Sequence, residues 1–170
     1  CYAEGSVYNT GCSSNVGGVC GLNREGTIDR SYAAGSVGGT GSIGGLCGSN
    51  DSGTINQCYS TGSVSGFYSY IGGLVGYSYY GQITNCFWDT ETSGMTNGIG
   101  NEDFDSSGVT GKTTEQMKTP STFSDYGWPI ADFNTGYIGW YMPQNSYPLQ
   151  VWQKSNIVQL PDVTDMNIPE

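Results

Sequence analysis

Short apolar and β-branched runs alternate with polar residues and glycines along the first half of the chain, without the 3.6-residue period of an amphipathic helix. One segment recurs at steps of 27 and 28 residues, and its copies are residues 16–21 (VGGVCG), 43–48 (IGGLCG) and 71–76 (IGGLVG). Each copy precedes a short polar loop and a Gly-x-Ile-type segment. A further segment, with an aromatic residue in its second position, begins at residues 1, 31, 58 and 86. The pattern predicts short strands and tight turns in every unit.

The length of the unit favours one fold class over two others. A period of 27 or 28 residues divides into three strands and three turns, which is one coil of a three-sided parallel β-solenoid. A β-propeller blade needs about 40 to 50 residues, and a leucine-rich horseshoe would need many more leucines. We therefore predict an all-β, three-sided parallel β-solenoid (β-helix) of about three coils over residues 1–87. The chain begins inside a repeat, so we expect it to be a fragment or a processed product.

Small residues alternate with an aromatic residue in the segment 31–37 (SYAAGSV), and this alternation predicts which side chains face inward. The small set, with Ala33 and Val37, is placed inside, and Tyr32 is placed on an outer face. Stacking of coils about 4.8 Å apart then aligns one aromatic residue per coil. These residues are Tyr2, Tyr32, Tyr59 and Phe87. Two roles stay open for this row: stabilisation of the sheet by stacking, or a platform for sugar rings.

Four of the six cysteines occupy equivalent positions in adjacent coils, as the pairs Cys20–Cys47 and Cys58–Cys86. The spacing between coils lies within the Cα separations that disulfides accept, so both pairs are disulfide candidates. The alternative is that these residues are reduced thiols that pack as small apolar side chains. A cysteine-based metal site is not expected, since no Cys-x-x-Cys pair occurs and the chain has no histidine.

Charge and composition exclude several classes of protein. The chain has 15 acidic and 5 basic residues, a net charge of −10, which argues against binding to nucleic acid. No apolar stretch approaches the roughly 18 residues of a membrane-spanning helix, so no membrane insertion is expected. The absence of histidine removes the commonest general base, and no carboxylate cluster suits glycoside hydrolysis, so we expect no enzyme. Six cysteines with few lysines indicate an extracellular or cell-surface protein.

The repeat resembles the GLUG repeat family. The segments that carry the resemblance in the third copy are 72–76 (GGLVG), 81–83 (GQI) and 85–87 (NCF). The first two copies follow the same pattern, with Cys20 and Cys47 in place of the more usual aliphatic residue. The segments 88–94 (WDTETSG), 112–118 (KTTEQMK) and 147–149 (YPL) are similar to a segment that often closes such arrays. The resemblance implies a non-catalytic β-solenoid of secreted or surface-anchored bacterial proteins, including adhesin-like proteins and the non-catalytic regions of immunoglobulin A peptidases.

The repeat pattern ends near residue 87, and the composition changes there. All four tryptophans lie in the remainder, which predicts a cap over residues 88–153 that packs on the last coil, with one short helix at Thr113–Lys118 ended by Pro120. Residues 154–170 are predicted to form a linker or an extended tail. Asp103, Asp105 and Ser107 match the first half of a calcium-binding loop, but the twelfth position lacks the usual glutamate, and an acidic surface turn is the favoured alternative. No other cofactor is expected.

These features predict an extracellular structural or adhesive scaffold without a catalytic site. Its partners would be other copies of itself, as in a filament, or cell-surface proteins and glycans. The alternative is a carbohydrate-binding module that uses the tyrosine row and the C-terminal tryptophans. A polysaccharide-degrading β-helix enzyme is a more distant alternative that rests on the fold class alone.

Overall fold

The computed structural model describes residues 1–11, 14–67, 70–101, 107–131 and 139–156, and its regular structure consists mainly of short strands. In chain order the strands are β1 (Tyr2–Ala3), β2 (Val7–Tyr8), β3 (Ser14–Gly17), β4 (Cys20–Arg24), β5 (Thr27–Asp29), β6 (Tyr32–Ala33), β7 (Val37–Gly44), β8 (Cys47–Asp51), β9 (Thr54–Asn56), β10 (Tyr59–Ser60), β11 (Val64–Phe67), β12 (Ile71–Gly72), β13 (Val75–Tyr79), β14 (Gln82–Thr84), β15 (Cys86–Asp89), β16 (Val109–Lys112), β17 (Ile130–Ala131), β18 (Trp140–Tyr141) and β19 (Leu149–Gln150). The helices are α1 (Thr90–Ser93), α2 (Thr114–Met117) and α3 (Pro120–Ser124), followed by a 3-10 helix at Val151–Asn156.

Strands pair in parallel with their equivalents in the neighbouring coil. Strand β6 lies between β1 and β10, and β15 and β16 extend this sheet. Strand β8 lies between β4 and β13, and β9 lies between β5 and β14. The long strand β7 pairs with β2, β3, β11 and β12. The predicted parallel β-solenoid is therefore confirmed.

The solenoid has about four turns, where the sequence predicted three. The additional turn comes from residues beyond 87: β16 pairs in parallel with β15, and Ile99 forms a parallel bridge with Val75. These residues lack the full repeat motif, but backbone pairing does not depend on side-chain identity. One coil also holds four strand segments, β6 to β9, instead of the three that the period predicted.

Two sharp corners recur in three successive coils and explain the division into short strands. Residues with positive φ occupy the first corner (Glu25, Ser52 and Tyr80) and the second corner (Arg30, Gln57 and Asn85). None is a glycine, although this left-handed conformation costs such residues about 1 kcal/mol or more. Beside the first corner, buried Asn23 donates a 2.8 Å hydrogen bond to the Oδ1 of Asn50, and Asn50 donates to the Gly53 carbonyl at 3.1 Å. This polar row inside the coil offsets part of the cost of the bend.

The Gly-Gly segment is required by a close approach of backbones within the coil. A Cβ atom on Gly44 would lie 2.1 Å from the Cys47 carbonyl oxygen and 2.6 Å from the Gly76 nitrogen. A Cβ atom on Gly76 would lie 2.4 Å from the Ile43 nitrogen. These distances are far below van der Waals contact, so only glycine fits at both ends of the motif.

The interior of the solenoid is built from rows of equivalent residues. Ile55 aligns with Ile28 and Ile83, and Leu46 and Leu74 are fully buried in the same cluster. The small residues that the alternation placed inside are inside. Ala33 joins this cluster, and Val37 packs in a second one with Val16, Ile43 and Val64.

The C-terminal part packs along the side of the solenoid. Residues 117–131 and 139–150 contribute Met117, Phe123, Trp128 and Trp140 to a buried cluster that also contains an aromatic residue from each of three successive coils. The described residues 97–101 and 107–112 instead add a further turn to the end of the solenoid. The expected helix is confirmed as α2, which Thr113 caps through a capping box with Gln116. Pro120 does not simply end it, because it is the first residue of α3.

Candidate functional site

The aromatic residues that the repeat placed in one row are register partners. Tyr32 pairs with Tyr2 on one side and with Tyr59 on the other, and Tyr59 pairs with Phe87. The rings of Tyr32 and Tyr59 stack with centroids 5.0 Å apart and planes 5° from parallel. The row is not an open binding face, however, because Tyr32, Tyr59 and Phe87 are at most 2% exposed. Only Tyr2, at 40%, keeps substantial access to solvent.

The C-terminal part covers this row. The ring centroids of Trp128 and Trp140 lie 6.3 and 5.7 Å from that of Tyr59. The Tyr59 hydroxyl donates a hydrogen bond to the Pro148 carbonyl, and burial raises the pKa of Tyr59 well above its ordinary value. Trp88 is buried as well, whereas Trp152 is half exposed beside Tyr2. Three of the four tryptophans therefore serve packing and are inaccessible to a ligand.

A buried carboxylate joins the C-terminal part to the last coil. Asp89 caps α1 through hydrogen bonds from the Glu91 and Thr92 amides, at 2.9 and 3.1 Å. Its other oxygen accepts from the Thr114 hydroxyl at 2.8 Å and from the Tyr147 hydroxyl at 2.7 Å. Burial alone would raise the pKa of Asp89, but these hydrogen bonds outweigh burial and lower it below its ordinary value. Asp89 is thus a structural anchor that is ionised at neutral pH.

The cysteines expected to form disulfides are free thiols in the structure. Cys20 and Cys47 are register partners, as predicted. The thiols of Cys58 and Cys86 both donate to the carbonyl two residues earlier in the chain, those of Asn56 and Thr84, at 3.1 Å. The structure therefore does not confirm the disulfides Cys20–Cys47 and Cys58–Cys86, and the alternative of buried thiols describes Cys47, Cys58 and Cys86.

The first thiol pair is chemically asymmetric. A hydrogen bond from the Cys47 thiol lowers the pKa of Cys20 to about 6, against the effect of its partial burial. The same hydrogen bond and burial raise the pKa of Cys47. Cys20 is half buried, so its thiolate is the more accessible sulfur of the two.

A shallow groove of about 240 Å³ crosses the outer face of the sheet β4-β8-β13, and the sequence analysis missed it. Two register rows form it, and these are Leu22–Ser49–Tyr77 and Arg24–Asp51–Tyr79. Asn15 completes the lining. The Nε of Arg24 donates to the Asp51 carboxylate at 2.9 Å.

Aromatic side chains are concentrated beside and within this groove. Tyr77 packs against Tyr70 with ring centroids 4.8 Å apart, and Tyr79 packs edge-on against Tyr80 at 4.4 Å. Tyr70, Tyr79 and Tyr80 are 48%, 50% and 81% exposed. The available signal was the pair of tyrosines at alternate positions after the third Gly-Gly segment. It was missed because the first two copies carry other residues there, so a search for repeated residues passes over it.

The calcium hypothesis lies largely outside the described residues. Asp103 and Asp105 are not among them, and Ser107 is exposed. Within the described ranges, no group of three or more cysteine, aspartate or glutamate side chains is arranged to hold a metal ion. The calcium site at Asp103, Asp105 and Ser107 stays a prediction, as does the tail, of which residues 157–170 are not described. Of the helices in the described ranges, none is long and apolar enough to cross a membrane.

Comparison with known proteins bears on the repeat. Neither the curated proteins nor the solved structures contain a match to the chain. A protein-family model described as the GLUG motif matches residues 67–87, which include β12, β13 and β14. The backbone register places residues of the second coil beside those of this segment and residues of the first coil beside those of the second. The resemblance inferred from the sequence is thereby confirmed, and residues 67–87 of this β-solenoid match the GLUG motif.

Proposed function

We propose that this protein is a non-catalytic, extracellular adhesive scaffold whose solenoid holds one outer face in a fixed shape for contact with molecules of a cell surface. The observation that carries the proposal is the exposure of Tyr70, Tyr79 and Tyr80 on the third coil. Large aromatic side chains cost little conformational entropy on binding and supply much contact area, so an exposed group of them favours a binding surface.

The rigidity of the coils supports a scaffold role. The strands under the tyrosines pair in register with the preceding coil, and the Gly44 and Gly76 backbones leave no free space between neighbouring strands of the two adjacent coils. A surface on such a support loses little freedom when it binds.

The distribution of ionisable groups supports a non-catalytic role. Asp89 is the described carboxylate with a clearly perturbed pKa, and its oxygens are occupied by hydrogen bonds that hold α1, Thr114 and Tyr147 in place. Asp29 and Asp51 are engaged in surface ion pairs with Arg30 and Arg24. Carboxylates that are occupied in this way favour a structural role over a catalytic one.

The alternative of a carbohydrate-binding module built on the tyrosine row and the C-terminal tryptophans receives no support, because those residues are largely buried. A glycan partner is instead considered below at the exposed groove.

Display of the full chain on a non-adherent bacterial strain tests the proposal. Displaying cells are expected to adhere to mucin-coated surfaces or epithelial cells several-fold better than cells that display a GFP domain of similar size. The matched control is the displayed Gly44→Ala chain, whose coils are expected to be disrupted and which should adhere no better than the GFP strain. Equal adhesion of the native chain and the GFP strain would overturn the proposal. Filaments of the purified chain without adhesion would also overturn it and would indicate self-assembly.

A further inference from the structure

We propose that the groove lined by Leu22, Arg24, Ser49, Asp51, Tyr77 and Tyr79 binds an uncharged sugar unit of a glycan. This inference deepens the proposed adhesive function and rests on it for its biological role, while the binding itself can be measured independently.

The two tyrosines supply the apolar part of such a site. Tyr77 and Tyr79 are two residues apart on β13, so their side chains lie on the same face, about 7 Å apart along the strand. Tyr77 is half buried and is supported by Tyr70, while Tyr79 is half exposed and is supported by Tyr80. A supported aromatic ring offers a flat apolar surface for the C–H face of a sugar ring.

The floor of the groove supplies a polar group without a partner. Ser49 is 7% exposed and lies between Leu22 and Tyr77 in the register row. Within the described part of the chain the Ser49 hydroxyl makes no hydrogen bond, and it is not among the fully buried side-chain atoms that lack a partner, so it keeps some access to solvent. A hydroxyl in the lining of a groove can bond to whatever occupies the groove, which is water or a ligand hydroxyl.

The ion pair beside the tyrosines matches the chemistry of sugar hydroxyls. The Arg24 guanidinium only donates hydrogen bonds, and the ionised Asp51 carboxylate only accepts them. A sugar hydroxyl donates and accepts at once, so neighbouring hydroxyls can engage both members of the pair. The Arg24 and Asp51 side chains are 66% and 30% exposed, so both keep donor and acceptor positions that face solvent.

The charge of the groove favours an uncharged sugar over an acidic one. Arg24 and Asp51 neutralise each other within the groove, while the chain as a whole carries a net charge of −10. A sialic acid or a uronic acid would meet repulsion from the chain without a free cation in the groove to offset it. The shallow shape predicts weak binding per site, which several copies on one surface would strengthen by avidity.

The test uses the full chain coupled to fluorescent beads and an array of neutral oligosaccharides, with sialylated and sulfated oligosaccharides printed beside them. We expect binding to one or more neutral oligosaccharides that changes little between 50 and 500 mM NaCl. Tyr79→Ala and Tyr77→Ala are each expected to reduce this binding at least tenfold, and Asp51→Asn is expected to reduce it several-fold. Tyr8→Ala, at a tyrosine that is 69% exposed but lies outside the groove, should bind like the native chain.

Circular dichroism separates loss of binding from loss of folding, and Tyr79→Ala is the more informative variant because Tyr79 is half exposed. No binding to any neutral oligosaccharide, or equal binding by folded Tyr79→Ala and the native chain, would overturn the inference. Adhesion of the displayed native chain that survives in Tyr79→Ala would overturn the inference but leave the proposed function standing. Glycan binding on the array without adhesion of displaying cells would overturn only the proposed function.

Discussion

The Tyr147 hydroxyl donates a 2.7 Å hydrogen bond to the Asp89 carboxylate, although the two residues are 58 positions apart in the chain. Asp89 ends the last motif-bearing coil, and Tyr147 belongs to the part that covers the aromatic row. The contact therefore joins the cover to the solenoid, and the protonation state of one carboxyl group controls its strength.

Acid is expected to weaken this connection. The folded-state pKa of Asp89 lies below the ordinary value of 3.8, so its stabilising contribution is complete above about pH 4 and is lost as the pH falls through the folded value. Asp89→Asn should lower the free energy of unfolding at pH 7 by about 2 kcal/mol, since the amide cannot accept all four hydrogen bonds. Urea unfolding at pH 7 and at pH 3 measures both effects.

The stability of Asp89→Asn should also depend less on pH, because the variant lacks the carboxyl group that is protonated in acid. The difference in free energy of unfolding between native protein and Asp89→Asn should therefore be smaller at pH 3 than at pH 7. Glu115→Gln removes one exposed carboxylate and is the charge-matched control, with an expected change within about 0.5 kcal/mol. A difference between native protein and Asp89→Asn that is the same at both pH values would contradict this role.

Removal of the Tyr59 ring is expected to detach the C-terminal segments, residues 117–131 and 139–150, from the aromatic row. Tyr59 stacks on Tyr32, packs against Trp140 and donates to the Pro148 carbonyl. Tyr59→Ala should cost about 3 to 5 kcal/mol and make residues 113–153 the first to be cut by protease. Denaturant unfolding and limited proteolysis with mass spectrometry give the two readouts. The control is Tyr8→Ala, at an exposed tyrosine. Matching proteolysis patterns for the two variants would contradict the role of Tyr59 in holding the C-terminal segments on the aromatic row.

A single methyl group added in the Gly-Gly segment is expected to destabilise the solenoid. Gly44→Ala places a Cβ atom 2.1 Å from a backbone oxygen, so the two sides of the coil must separate. We expect a loss of about 3 kcal/mol in the free energy of unfolding, measured by thermal or urea denaturation. Gly5→Ala adds the same methyl group with no atom within 4 Å and should change stability little. Equal stability of the two variants would show that the backbone at Gly44 has room for a methyl group.

The Cys20 thiol is expected to react with iodoacetamide at lower pH than an ordinary cysteine. Because its pKa is lowered to about 6, the reactive thiolate predominates above that pH. Cys47→Ala removes the hydrogen bond that lowers this pKa, so the labelling profile of Cys20 should move toward the ordinary value of 9.0. Peptide-resolved mass spectrometry between pH 5 and 9 follows the change, with the exposed Cys1 as internal reference. An unchanged Cys20 profile in Cys47→Ala would exclude Cys47 as the cause.

The sequence was most informative where a residue recurs. Recurrence predicted the strands, the parallel pairing and the alignment of Tyr2, Tyr32, Tyr59 and Phe87, because stacked coils bring equivalent positions into register. It was least informative where the chain departs from the repeat. The turn to which residues 97–101 and 107–112 contribute was missed because parallel pairing uses backbone groups that every residue has. The groove at Tyr77 and Tyr79 was missed because those two residues are unique to the third copy.

The period and the glycine positions suffice to specify a β-solenoid, since each repeat can satisfy its backbone hydrogen bonds only by stacking on the next one. Exposure is a different property, because it depends on which distant segment packs against a surface. Residues 117–131 and 139–150 fold back over Tyr32, Tyr59 and Phe87 and bury them, whereas the described part of the chain leaves Tyr79 half exposed. The alternation pattern puts Tyr32 on an outer face, but which outer tyrosines remain available for binding follows only from these long-range contacts.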